Sequence, residues 1–248
     1  MKRLLLLVVL LLALPFCLQA GYGFYHGYDV KNGLITLILG LIRHDLVFAL
    51  EEVHPEALAD FKPRPVTWKG ELESEALVEA SGLAASQTQE GLFFSVNDSG
   101  NEPRLFALDE QGGDKGSWLL SYNDFHDFED MAAFHHEGKR YLLVADTGDN
   151  FNWRPRLTIL IFEEPNSAVS SGTLAPAWSF QYSYPEGYRD CEAVAVDERG
   201  GRIYLISKRR VPAELFILPL HPEAAHVVAR FEGSLDLLPQ PSQRDLRE

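Results

Sequence analysis

From residue 79 onward, short apolar runs alternate with polar turns, and the pattern repeats. The stretches EASGLAA from Glu79, DFEDMAA from Asp127 and DCEAVAV from Asp190 align without a gap. Each is followed by a turn (QTQEG, HHEG, DERGG) and a second apolar run: LFFSVND, YLLVADT and IYLISKR. With Leu83, Met131 and Val194 as matched positions, the second runs end 15, 15 and 14 residues later, at Asp98, Asp146 and Lys208. A third run follows each (RLFALD, RLTILIF, ELFILPL), and a fourth, weaker one can be drawn at residues 117–121, 178–184 and 226–231. Short runs between turn residues read as strands. Units of four such strands, spaced 48 and 63 residues apart, predict a radial β array. The expected fold class is therefore all-β, a β-propeller of four-stranded blades.

This topology decides where the polar residues fall. In a four-stranded meander, the loop between strands two and three emerges at the same edge as the connection to the next unit. The loops NDSGNEP, DTGDNFNWRP and SKRRVPA, with YNDFHDFED and YPEGYRDCE, then share one face. Strand one is expected to be innermost, so Glu129, Asp130, Asp190 and Glu192 converge near an axis, with Asp146, Asp149 and Asn150 close by. Gathered carboxylates repel unless something positive neutralises them. Oxygen donors with no accompanying Cys or close His pair favour Ca2+, which takes six to eight oxygen ligands in an adaptable geometry. Taken singly, Asp98, Asp146 and Asp149 also fit plain turn residues that bond nearby backbone N–H groups.

The remaining polar residues of that face are Asn97, Asp98, Asn101, Arg104, Arg154 and Lys208, expected to meet a ligand or to pair with neighbouring acids. His126 lies in the acidic loop and is the one candidate for a general acid or base. The sequence holds no Gly-x-Ser-x-Gly elbow, phosphate-cradling loop or His-Glu-x-x-His helix.

The chain before the repeats is different in kind. Lys2 and Arg3 precede an apolar run over residues 4–16, and Ala20 stands at a plausible cleavage point, the pattern of a signal peptide over residues 1–20. Thirteen apolar residues are short for a membrane span of about 20, and an uncleaved membrane anchor is the alternative. Export to the periplasm or outside the cell follows. Residues 21–65 form an extension whose apolar spacing suits a helix or two, and residues 66–248 carry the propeller domain. VTWKGELE, residues 66–73, alternates like a strand.

The formal charge of −14 excludes a polyanion such as DNA as partner, because that binding depends on Lys and Arg neutralising phosphates. Of the two cysteines only Cys191 lies beyond the signal segment, and its apolar context predicts a buried, inert thiol. About three units are visible, whereas closed rings have roughly four to eight blades. The array therefore reads as C-terminally incomplete, with open blade edges liable to self-association.

The segments SGLAAS (81–86), VNDSGNEPRLFALD (96–109), DFEDMAA (127–133), VADTGDN (144–150) and RDCEAVAVD (189–197) resemble a group of exported bacterial propeller proteins. More distantly they are similar to calcium-dependent six-bladed propellers, including the phytase-like, gluconolactonase and paraoxonase-like groups. The resemblance covers residues 66–248 and implies a six-bladed type. It also implies a central Ca2+ held by a Glu of an inner strand, a role that Glu129 or Glu192 matches, whereas Ser81 stands where the first repeat would need an acid. Two functions are compatible with these residues: a module binding a small-molecule or protein ligand, and a metal-dependent hydrolase of phosphate esters, esters or lactones.

Overall fold

A computed structural model describes residues 67–124, 127–166 and 171–236. The expected signal segment, the extension over 21–65 and His126 lie outside the described residues. The chain divides into two compact units, one of residues 1–51 with 150–154 and the other of residues 52–149 with 155–248. All the strands below belong to the second.

The described residues of this unit form strands and no helix. The first sheet contains β1 (Ala80–Ala85), β2 (Leu92–Asn97), β3 (Arg104–Asp109) and β4 (Asp114–Leu120) as an antiparallel meander. The second contains β5 (Phe128–His136), β6 (Lys139–Asp146), β7 (Leu157–Glu163) and, in fourth place, β9 (Trp178–Ser183). The third contains β10 (Asp190–Asp197), β11 (Arg202–Lys208), β12 (Glu214–Pro219) and β14 (Arg230–Ser234). Three successive four-stranded units thus occur where the sequence repeats, in an unclosed multi-bladed architecture.

Two strands depart from the expected pattern. The connection between β7 and β9 contains β8 (Ser171–Leu174), which leaves its own sheet and pairs in parallel with β4 of the first. The connection between β12 and β14 contains β13 (His226–Val228), which pairs in parallel with β9 of the second. Each later sheet thus lends a strand to the outer edge of the one before it. The fourth run placed at 226–231 is accordingly split, because its first residues satisfy their backbone groups on a neighbour's edge. Residues 67–73 are extended but belong to no sheet: Glu73 N–H donates to the Gly112 carbonyl at 3.0 Å, without a ladder.

Alternation decides which residues fill the space between sheets. Phe94 and Val96 of β2 and Leu105 and Ala107 of β3 point one way, against Met131, Leu142 and Val144 of the second sheet. The opposite side of that second sheet, with Leu143, Ala145, Ile159 and Ile161, packs on Ile203, Leu205, Phe216 and Leu218 of the third. Cys191 is fully buried in this second core, and burial pushes its thiol up to about 12, as expected of an inert cysteine.

Polar ties reinforce these apolar layers. The buried Glu164 carboxylate, just beyond β7, accepts hydrogen bonds from Ser86 Oγ (2.6 Å), Gln87 N (2.9 Å), Thr88 N (3.2 Å) and Thr88 Oγ1 (2.6 Å) in the β1–β2 turn. Replacing Glu164 by Ala leaves that turn's donors without their common acceptor. The expected loss is about 1.5–3 kcal/mol of unfolding free energy by urea denaturation, the range for hydrogen bonds to a charged group; a loss below about 0.5 kcal/mol would show that the tie is dispensable.

Candidate metal-binding edge

The innermost strands β1, β5 and β10 run side by side. Ser81 Oγ on β1 donates to the Glu129 carbonyl on β5 at 2.7 Å, and Val194 N on β10 donates to Asp130 Oδ2 on β5 at 2.7 Å. Two of these strands contain a bulge at an equivalent place. The β5–β6 register skips between Phe128 and Asp130, and the β10–β11 register skips between Cys191 and Ala193. The unpaired residues are Glu129 and Glu192. Bulges re-aim side chains, and here each one frees an acid whose neighbour two positions earlier, Asp127 or Asp190, is also acidic.

The result is two overlapping groups of carboxylates. One oxygen each from Asp98, Asp127 and Glu129 lie within 4.8 Å of one another, and so do oxygens from Glu129, Asp190 and Glu192. Glu129 belongs to both. Asp127, Glu129 and Asp190 are buried, Asp190 to 1% exposure, whereas Asp98 and Glu192 are half-buried. Burial, reinforced by the negative charges of Glu192, Asp127, Asp98 and Asp190, pushes the Glu129 carboxyl up to about 9. Burial also raises the carboxyls of Asp130 and Asp190.

Gly148, in the loop after β6, closes one side of this space. A Cβ placed on it would come within 2.3 Å of Glu129 Oε1 and 2.4 Å of Asp127 Cγ. Only a glycine lets the loop backbone approach the two acids so closely. Thr147 N and Gly148 N both donate to the Asp127 carbonyl at 3.2 Å, and Asp149 N donates to Asp190 Oδ1 at 2.8 Å. Basic groups meet the third-sheet acids: Lys208 Nζ lies 2.9 Å from Glu192 Oε1 and an Arg209 guanidinium nitrogen 3.4 Å from Asp190 Oδ2. Arg209 adopts a φ of 60°, a left-handed conformation that costs a non-glycine residue about 1–2 kcal/mol.

Of the residues the sequence offers as ligands, Glu129, Asp190 and Glu192 bring oxygens within 4.8 Å of one another, and Asp98 stands in the other group with Asp127 and Glu129. Asp130 faces the other way, with its oxygens accepting Met131 N (2.8 Å) and Val194 N (2.7 Å). Asp146 is fully buried behind the group, accepting the Tyr122 hydroxyl and Asp127 N (2.9 Å), so it positions Asp127. Burial beside Asp146 raises the Tyr122 hydroxyl far above its ordinary value, keeping it protonated as a donor. Asp149 reaches the cluster through its backbone, by the bond to Asp190. Asn150 and Arg154 fall in the 150–154 stretch of the other unit. Asn97 bonds Glu79 N and the Ala76 carbonyl, Asn101 bonds Glu79, and Arg104 pairs with Glu102 at 2.8 Å. Lys208 serves as a counter-charge.

Sequence reasoning left Asp127, Arg209 and Gly148 out of the ligand set. A signal for Asp127 was present: Asp-x-Glu occurs at both Asp127 and Asp190, and residues two apart on a strand share a face.

No family model matches this chain, and no curated protein matches it. Among solved structures it is similar to Kluyvelomyces marxianus Hsv2 at 16% identity and a TM-score of 0.35, over 64% of this chain and 46% of that one. It is also similar to the WD40 domain of Toxoplasma gondii coronin (11%, 0.33, over 61% and 33%) and to Pseudomonas brassicacearum lignostilbene dioxygenase (12%, 0.35, over 57% and 35%). The chain spans less than half the length of these structures. The likeness is distant and generic. Among the described residues no helix is long and apolar enough to cross a membrane.

The close approach of Gly148 gives a test of the edge. Gly148→Ala forces Glu129 or Asp127 to move and is expected to cost about 1–3 kcal/mol of stability, the usual range for overpacking. Gly138→Ala, at a turn glycine with open space around it and φ 77°, is the comparison that separates strain from crowding. A loss below about 0.5 kcal/mol from Gly148→Ala would show that the close approach to the acids is not what Gly148 provides.

Proposed function

We propose that the protein is an exported β-propeller module that binds Ca2+ at this acidic edge through Asp98, Asp127, Glu129, Asp190 and Glu192, and uses the cation-organised edge to hold a small-molecule or protein ligand. The observation that carries the reading is geometric. Glu129 stands in two groups of carboxylate oxygens, each within 4.8 Å, and the bulge in β5 and the backbone of Gly148 hold it there. The donors are all hard oxygens, the set that suits Ca2+ and suits Zn2+ poorly. Bound Ca2+ would supply positive charge to the acids and fix the loops after β2 and β6.

Binding is favoured over hydrolysis because the third-sheet acids are already paired. Asp190 is held by Asp149 N and Arg209, and Glu192 by Lys208, so both act as fixed groups rather than as proton carriers. The export part of the reading rests on the basic, apolar and small-residue pattern of residues 1–20.

Calorimetric titration with CaCl2 is expected to show saturable binding. A hundredfold excess over the dissociation constant should add about 2.7 kcal/mol to stability, reversed by chelator. Glu129→Gln is expected to abolish the response, and Asp130→Asn, whose oxygens serve the backbone and the tie to Val194, to destabilise the apo protein and weaken the affinity while leaving saturable binding in place. A melting temperature indifferent to Ca2+ and to chelator rejects the site.

Protonation supplies an independent check. Between about 4.5 and about 9 the folded apo protein keeps a proton on Glu129 that the unfolded chain releases. Stability from this group is therefore full below that window and falls as pH rises through it. Ca2+ binding displaces the proton, so affinity is expected to rise with pH up to about 9, with net proton release seen as a buffer-dependent binding enthalpy. A pH-independent affinity over that window would place the ion elsewhere.

A further inference from the structure

Among the described residues, the first and third sheets each present one face that no other sheet covers. Register identifies those faces. Leu83, Met131 and Val194 are equivalent, opposite Ser95, Val144 and Leu205; Phe93, Leu142 and Ile203 are equivalent, opposite Ala85, Ala133 and Val196. In the second sheet this front face is buried by the sheet before it, Met131 to 3% and Leu142 completely. In the first sheet Leu83 is 62% exposed and Phe93 half-buried. With Leu72 and the backbone of residues 110–112 they border a groove of about 450 Å³.

The back faces show the converse. Phe94, Leu143 and Tyr204 are equivalent, as are Val96, Ala145 and Ile206. The first two of each set are completely buried by the following sheet, whereas Tyr204 and Ile206 remain half-exposed beside Leu215. Among the described residues the array thus presents one uncovered front and one uncovered back, the two kinds of surface that already pack on each other twice within it.

A polar tie is left open in the same way. Glu110 is the first-sheet equivalent of Glu164, since Asp109 and Glu163 sit opposite the equivalent residues Leu92 and Tyr141. Glu164 binds the β1–β2 turn of the preceding sheet, whereas Glu110 is exposed. The corresponding turn of the third sheet, between β10 and β11, carries an exposed Arg199. The acids of that turn are engaged within this chain, Asp197 accepting Gly200 N and Glu198 accepting His135 N, so Arg199 is the group there that complements Glu110.

We propose that the occupant of both faces is a second copy of this chain: the third-sheet back of each protomer packs on the first-sheet front of the other, with Glu110 meeting the turn of Arg199. Two copies related by a two-fold axis supply both contacts at once, which closes the assembly instead of leaving open ends. Six sheets around one axis fall within the roughly four to eight of closed propellers.

Sedimentation velocity of the full chain at micromolar concentration is expected to give a single species of twice the 27.9 kDa chain mass. Leu83→Asp and Tyr204→Asp, at positions already open to solvent, should each yield folded monomer by circular dichroism and sedimentation. Val228→Asp, exposed on the edge strand β13, should leave the dimer intact. Glu110→Arg should weaken the dimer at least tenfold, and adding Arg199→Glu should restore it. That rescue distinguishes the specified contact from general stickiness. A wild-type monomer, a dimer indifferent to Leu83→Asp, or a mass that keeps growing with concentration would each overturn the proposal.

Discussion

The constraint on which the rest depends is the crowding of like charges around Glu129. At about 4 Å two unit charges interact by about 4 kcal/mol at an effective dielectric of 20, far above their interaction in water. Packing of β5 between β1 and β10, with bulges at Glu129 and Glu192, nonetheless gathers the carboxylate oxygens of neighbouring sheets into two groups, each within 4.8 Å and both including Glu129. Three responses are physically open: a proton on Glu129, basic side chains, or a cation. The structure shows basic groups, Lys208 and Arg209, on the third-sheet acids. The upward shift of Glu129 expresses the proton response. The third is the one a hard cation would supply, and it competes with the second for the same oxygens.

The way the sheets are joined explains why they can hold such a group. Apolar layers supply most of the contact area but set no register between sheets. Register comes from directional ties: Ser81 to Glu129, Asp130 to Val194, Glu164 to the turn at Ser86–Thr88, and Thr147 Oγ1 to the Cys191 carbonyl at 2.8 Å. Each joins neighbouring sheets through a side chain and a backbone group or short turn. The lent strands β8 and β13 do the same at the outer edge. A sheet pinned at its inner and outer edges cannot slide, so an acid placed by a bulge stays where the bulge aims it.

Much of this was legible in the sequence because it depends on short-range pattern. Apolar runs between turn residues locate the strands, and the meander topology, with strand one innermost, points Glu129, Asp190 and Glu192 to one edge. What was not legible depends on register. Nothing local says that Glu129 falls in a bulge while Asp130, one residue on, is paired and turned toward Val194, so the two were treated alike. Asp146 was read as a ligand because it ends its strand on the correct edge; that it bonds Asp127 N instead follows from β5 pairing. The run at 226–231 was assigned to one strand because its composition is continuous. Its division between two sheets is tertiary. The run from Val66 alternates as a strand does, but alternation without a ladder partner leaves residues 67–73 as extended chain.

Because the acids come from all three sheets, occupancy of the site and packing of the sheets are energetically linked. Asp98 belongs to the loop after the first sheet's second strand, Asp127 and Glu129 to the second sheet, and Asp190 and Glu192 to the third. A cation shared among them would favour the arrangement in which the inner strands stay adjacent, by its difference in affinity for adjacent and separated sheets. By the same linkage, anything that holds the sheets together raises affinity for the cation. The ties between inner strands are thus part of the site although they supply none of its prospective ligand oxygens. Loss of the Asp130–Val194 bond weakens the array that brings Glu129 to Asp190, while leaving every prospective ligand chemically intact.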